Sequence, residues 1–365
     1  MTGAVRWADV QSPDTPSCRP VVVWLYALAV LIFAMVLVGG ATRLTDSGLS
    51  ITEWKPLLGA IPPLNGAAWL EAFDKYKQIP EYQIINRGMS LSEFKFIYWW
   101  EWTHRFLGRI IGFAFLLPFA VFMVSGRIRL AETPKFIALF ALGGLQGFLG
   151  WYMVQSGLAE RVDVSQYRLA AHLGLAIALL AAILWVALNW DRKGLRKTAV
   201  LAEGRAAATM PWGVISKSAA GLTAAIYLQF IFGGFVAGLD AGKAHNTWPL
   251  MDGELIPSSL GAITPWWRDI FENITTVQFN HRLMAYAIVV WGLLQMAAVW
   301  RGAAPRELKR STAWIGLAVF AQAALGVWTV IEAAPLWLGL AHQGGAVILL
   351  ALALLHLHKA RQFGV

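Results

Sequence analysis

Charge is what this sequence has least of. Asp, Glu, Lys and Arg together make up 14% of its 365 residues, against about 25% in a typical soluble domain. Such a chain cannot cover a globular surface with charge, which excludes a soluble enzyme, a disordered chain and a nucleic-acid binder. Cysteine is nearly missing as well. Cys18 is the single one, so an internal disulfide framework and a cysteine-based zinc site are both excluded. Acids are outnumbered by bases, 21 to 30, for a net charge of +9. In a membrane protein that excess has a place, because cytoplasmic loops collect Lys and Arg.

What fills the chain instead is apolar sequence, 58% of all residues. A bilayer core of about 30 Å takes roughly 20 apolar residues in a helix. Eight runs meet that length, at about 21–40, 105–125, 136–156, 169–190, 218–239, 283–300, 313–331 and 337–357. The first reads as a retained span, since its preceding tail carries acids as well as Arg6 and Arg19. Basic residues gather in the 2–3 loop (Arg127, Arg129, Lys135), the 4–5 loop (Arg192, Lys193, Arg196, Lys197, Arg205, Lys217) and the 6–7 loop (Arg301, Arg306, Lys309, Arg310). The positive-inside rule then puts both termini in the cytoplasm and the long loops, about 41–104 and 240–280, outside.

The chain also repeats itself. Gly39, Gly40, Asp46, Gly48, Trp54, Gly59 and Pro63 match Gly233, Gly234, Asp240, Gly242, Trp248, Gly253 and Pro257, all at an offset of 194. His104 and Arg105 match His281 and Arg282 at 177, and Gln146, Leu149, Gly150 and Val154 match Gln322, Leu325, Gly326 and Val330 at 176. Ala171, His172 and Gly174 match Ala341, His342 and Gly344 at 170. Order and residue type persist through four separate blocks, which chance would not preserve. The expected fold is therefore all-α, a polytopic membrane protein of eight transmembrane helices in two duplicated four-helix bundles. Its divisions are a cytoplasmic tail at 1–20, an N-terminal bundle at 21–200 and a C-terminal bundle at 201–365.

Four of the seven histidines fall at equivalent places in the repeat. His104 opens span 2, His172 lies near the start of span 4, His281 opens span 6 and His342 lies near the start of span 8. Ionisable groups inside a membrane are costly and mark functional sites. Two imidazoles at one depth on two helices suit the axial positions of a haem iron, with Gly150, Gly174, Gly326, Gly344 and Gly345 giving a flat macrocycle room. The alternatives are a zinc site, which wants a third ligand, and histidines that only hydrogen-bond between helices. Arg105, Arg168 and Arg282 lie within about a turn of a candidate ligand and suit haem propionates; snorkelling to lipid phosphate is the other reading. His245 has no counterpart, and His356 and His358, beside Lys359, read as a helix cap meeting headgroups.

The halves differ at one informative position. Glu101, one turn before His104, is matched by Gln278, which cannot ionise, and Arg109 is matched by Tyr286. A carboxylate so close to a metal could move protons, or simply pair with Arg105 at i,i+4. On the first reading, the N-terminal half is the reactive site and the other half an electron relay.

The run from Gly40 to Pro56, GATRLTDSGLSITEWKP, with Pro62 and Pro63 after it, resembles the first outer loop of the haem A synthases. So do EWTHRFLGR from Glu101 to Arg109, GLDAG from Gly238, NTWPLM from Asn246 and FNHR from Phe279. The resemblance spans roughly residues 20–358 and implies an oxidoreductase of the bacterial inner (plasma) membrane. That enzyme converts the methyl at ring position 8 of haem O to the formyl of haem A, by successive hydroxylations through haem I. It further implies that His104 and His172 hold the substrate haem, that Glu101 is the essential carboxylate, and that His281 and His342 hold a haem b passing electrons. Residues 41–104 lack the cysteine pair of the Gram-positive branch. This looks like the alphaproteobacterial and mitochondrial branch and leaves no role for a loop disulfide. Expected partners are membrane lipid, haem O synthase, cytochrome c oxidase assembly factors and an electron donor of open identity; self-association is open too. A diheme b-type cytochrome that only transfers electrons is the competing reading, and a repeat-built transporter a third.

Overall fold

The computed structural model describes residues 19–55, 58–159, 162–195 and 212–363. Cys18, most of the N-terminal tail, and Arg196, Lys197 and Arg205 of the 4–5 loop lie outside the described residues. Eight helices are long and apolar enough to cross a bilayer. They are α1 (Arg19–Leu44), α4 (Leu91–Val124), α5 (Thr133–Ala159), α6 (Gln166–Leu195), α7 (Trp212–Gly238), α9 (Ile274–Arg301), α10 (Arg306–Ile331) and α11 (Leu336–Phe363). The chain is a multi-pass membrane protein. Between the spans lie three short helices, α2 (Gly66–Tyr76), α3 (Pro80–Ile84) and α8 (Trp266–Glu272).

The second span starts well before the expected residue 105, and the reason is local. Ser90 caps α4 with a reciprocal box: its Oγ accepts from Glu93 N–H at 3.3 Å, and Glu93 Oε2 accepts from Ser90 N–H at 2.8 Å. The extra turns then bury Phe94, Ile97 and Tyr98 against Trp69, Phe73 and Tyr76 of α2. The first long loop is thus a small aromatic-cored layer on top of the spans. The second long loop is fixed by Asp269, whose carboxylate accepts from Thr276 Oγ1, Asn273 Nδ2 and the N–H groups of Gly261 and Ile263. Asn273 in turn caps α9.

The main core lies among α1, α6, α7 and α11, through Leu25, Leu28, Ile177, Ile183, Leu222 and Leu350. Helices α4, α5, α9 and α10 flank this centre and leave Phe113, Leu117, Phe140, Phe148, Leu294 and Phe320 exposed, as suits contact with lipid tails. Helices α6 and α7 approach closely because small residues line the contact. A Cβ on Gly234 would stand 3.0 Å from Ala170 Cα, and one on Gly238 would stand 2.7 Å from Gln166 Cα. At this same end Arg43 of α1 reaches across to Asp240 after α7 at 2.7 Å, while also holding Asp46 at 2.9 Å. Both long loops therefore cover one end of the molecule, here called the long-loop end.

Candidate functional site

Each of the four repeat-matched histidines lies within a span, toward the long-loop end. The ring centroids of His104 (α4) and His172 (α6) are 6.4 Å apart, and those of His281 (α9) and His342 (α11) are also 6.4 Å apart. Two metal–nitrogen bonds of about 2 Å, with the inner half of each ring, add up to about that separation. A single metal ion with one imidazole on each side fits both gaps.

Each imidazole also leans on a glycine from the preceding span. A Cβ on Gly39 would come within 2.9 Å of His104 Cε1, one on Gly150 within 3.0 Å of His172 Cε1, and one on Gly326 within 2.8 Å of His342 Cε1. Gly233 backs His281 with more room, at 3.5 Å. The sequence had suggested a different use of glycine. Gly174 and Gly344 instead admit Ile231 of α7 and Phe33 and Leu37 of α1, and Gly345 faces Gln322. They serve helix packing, while Gly39 and Gly233, first noticed as repeat markers, make room for imidazole.

Glutamines complete three of these four seats. Nε2 of Gln146, Gln229 and Gln322 donates to the backbone carbonyl of His172, His281 and His342 at 3.0, 2.9 and 2.8 Å. Gln229 was missed in the sequence because its repeat partner is a methionine. The signal was there in another form: each glutamine precedes its glycine by four residues, one helical turn.

Beside the first pair, Glu101 is 3% exposed and fully engaged. It pairs with Arg105 at 2.5 Å and accepts from Ser50 Oγ at 2.8 Å and Ile51 N–H at 2.7 Å. Arg105 donates onward to the carbonyls of Ile51 and Glu53. At the matched place Gln278 donates to the carbonyls of Ala241 and His245, and Arg282 to those of His245 and Thr247. Both halves tie their long loop to a histidine-bearing helix, but with opposite polarity. A carboxylate only accepts, so the first loop offers it N–H and O–H donors, whereas the second offers carbonyls. Arg168 stacks over Tyr152 at 3.7 Å and donates to its carbonyl at 2.6 Å. All three arginines thus grip protein groups at the long-loop end.

Of the remaining histidines, His356 and His358 part from the sequence reading. His356 is fully buried between Gln295 (2.7 Å) and Ser311 (2.8 Å), and His358 is buried against Asn189, Gln362 and the edge of Trp185. Neither meets headgroups, because polar partners on α6, α9 and α10 face them across the bundle. His245 bonds Asp252 within its loop and Thr275 in the first turn of α9. Outside the spans, Glu81 in α3 is the most perturbed acid: burial pushes its carboxyl up to about 8, with Glu101 and other acids adding to the rise. Among the described residues no group of three or more His, Cys, Asp or Glu converges, which disfavours zinc.

Comparison with known proteins gives a consistent picture. Residues 22–354 match the COX15-CtaA family model, described as cytochrome oxidase assembly protein. A haem A synthase of Parvibaculum lavamentivorans is 51% identical over 338 residues, covering 92% of this chain and 93% of its own. Haem A synthases of Brucella ovis and Brucella abortus are 48% identical over 334 residues, with 91% and 89% coverage.

Proposed function

This chain belongs to the COX15-CtaA family, the haem A synthases, and from that premise we propose how its residues divide the work of an oxidoreductase acting on haem. The reaction is oxidation of the ring-position-8 methyl of haem O to the formyl of haem A by successive hydroxylation through haem I. His104 and His172 hold the substrate haem. His281 and His342 hold a resident haem b. When bound, haem b supplies one-electron transfer to the first site. The observation that carries this reading is the pair of matched 6.4 Å histidine gaps, only one of which has a carboxylate beside it.

Glu101 sits one turn from His104, held by Ser50, Ile51 and Arg105. There it fastens the loop over the first pair and sets a carboxylate next to the substrate. Arg105, Arg168 and Arg282 set a positive rim suited to propionates, alongside their carbonyl contacts. The two sets of four spans are a duplication dividing near residue 200. The protein resides in the bacterial inner membrane with both termini cytoplasmic, handing its product toward cytochrome c oxidase assembly and receiving haem O from a haem O synthase.

The test is extraction and mass spectrometry of haems from protein co-expressed with a haem O synthase. Haem B together with haem I or haem A is the expected result, and Glu101→Gln should lower the oxidised haems at least tenfold with both haems still loaded. Haem B alone, with haem O present in the same membranes, would favour the electron-carrier reading, in which Glu101 only fastens the loop. His281→Ala or His342→Ala should remove the haem b spectrum while sparing the first site.

A further inference from the structure

The two halves differ on the flank where their second and third spans meet. In the second half, α9 and α10 interlock through two glycines. A Cβ on Gly292 of α9 would stand 3.2 Å from Val319 Cγ2, and one on Gly316 of α10 would stand 2.7 Å from the Met296 sulfur. Val319 is 2% exposed in that contact. Helices packed this closely leave no path between them.

At the repeat offsets of 177 and 176, the first half reverses these sizes. Phe115 and Phe140 take the places of Gly292 and Gly316, while Gly143 and Gly147 take those of Val319 and Ala323. The two phenylalanines meet across α4 and α5 with ring centroids 5.7 Å apart. Gly143 and Gly147 are exposed, and nothing stands within 4 Å of a Cβ built on either. Were α4 and α5 as close as α9 and α10, Phe115 would fill the space in front of Gly143. The aromatic pair therefore holds the helices apart, and a cleft runs along α5 from Phe140 toward Gly150, the glycine that backs His172.

Three sides of the cleft are closed. At its deep end Trp24, Phe115, Phe119, Phe136 and Phe140 pack ring against ring. Toward the long-loop end, Val154 of α5 joins Ile97 and Tyr98 of α4 in the core of the loop layer. Behind it lies the core between α1 and α6. The fourth side faces lipid, where Phe140 is 43% exposed and Phe148 54%. Haem suits such an opening, because its carboxylates leave from one edge and the opposite edge is apolar. With the carboxylates toward Arg105 and Arg168, the apolar edge points down the cleft and stays in hydrocarbon.

Resting on the assignment of the first pair to the substrate haem, we infer that the cleft between α4 and α5 is that haem's lateral passage. Haem enters through it from the bilayer, and the oxidised product returns the same way. A substrate site exchanges its haem in each turnover, whereas a cofactor site keeps it, and the matched positions differ in that sense. Gly143 and Gly147 keep the passage clear, and Phe115 and Phe140 hold it open. The glycine contacts of Gly292 and Gly316 close the corresponding flank beside haem b.

Uptake of haem O tests this. Full-length protein expressed without a haem O synthase is mixed with lipid vesicles containing haem O, and uptake is followed by absorption and by haem extraction. Gly143→Phe and Gly147→Phe each fill the cleft from α5. They should slow uptake about tenfold or more, since the added ring must be displaced for haem to pass, with haem b content unchanged. Leu145→Phe, on the other face of α5, should leave the rate as in the parent. Rates within about twofold of the parent in both glycine variants, with haem b retained, would overturn the inference, and so would equal slowing by Leu145→Phe. If one glycine variant loses haem b, the other decides alone. If both do, Gly143→Val with Gly147→Ala, the residues of the second half, is read in their place. Failure of the underlying assignment looks different, because His104→Ala would then bind haem O as the parent does.

Discussion

One added methyl group distinguishes histidine seats that look alike. Gly326→Ala would drive a Cβ to 2.8 Å from His342 Cε1, whereas Gly233→Ala meets His281 at an ordinary 3.5 Å. The first variant should lose most of its haem b, and the second should keep it, as measured by haem content and absorption of the purified proteins. Comparable retention in both would mean that the glycines do not set the imidazole positions. The four histidines and Glu101 were legible in the sequence because the repeat marks them by position. Gln229 was not, since Met35 occupies its matched place and no residue-by-residue comparison flags it. His356 and His358 were misread for another reason: their neighbours in sequence, Lys359 and Arg361, are basic, but the groups they meet are Gln295, Ser311 and Asn189 on other helices.

Among the elements, the spans themselves were readable from apolar length alone, with errors confined to their ends. The start of α4 was missed by some 14 residues because Leu91–Tyr98 mixes charge with aromatics and buries only one face, against α2. Helix α3 carries its own testable chemistry. Glu81 is 5% exposed, its Oε2 has no partner, and its carboxyl is raised to about 8, chiefly by burial. The folded loop therefore binds a proton that the unfolded loop, with a pKa near the ordinary 4.5, releases. That contribution to stability is complete below about pH 4.5 and is lost as pH rises through about 8. Proteolysis of the 58–90 segment should quicken between pH 6 and about 9 in the parent, and Glu81→Gln should flatten that dependence. An unaltered pH profile in the variant would assign the effect to another group.

Across the whole molecule, Arg43 is the polar link between the long-loop ends of α1 and α7, holding Asp240 and Asp46 with Asp163 at 3.9 Å. Arg43→Ala would leave three carboxylates with Lys243, 2.9 Å from Asp240, to offset them. Its expected cost is about 1–2 kcal/mol, between the values for exposed and buried pairs. The melting temperature in detergent should fall by several degrees, and further than for Asp240→Asn. A loss no greater than that of Asp240→Asn would mean the carboxylates do not depend on Arg43.

The order of the seats along the chain has a consequence for biosynthesis. Each glycine that receives an imidazole lies in an earlier span than its histidine: Gly39 before His104, Gly150 before His172, Gly233 before His281 and Gly326 before His342. Chains are made N-terminus first, so every histidine reaches the bilayer after its receptor is already there. A nascent chain that has emerged as far as Leu195 carries both histidines of the first pair and both their receptors. One that has emerged only to Arg301 carries His281 on its receptor, still waiting for the opposite ligand.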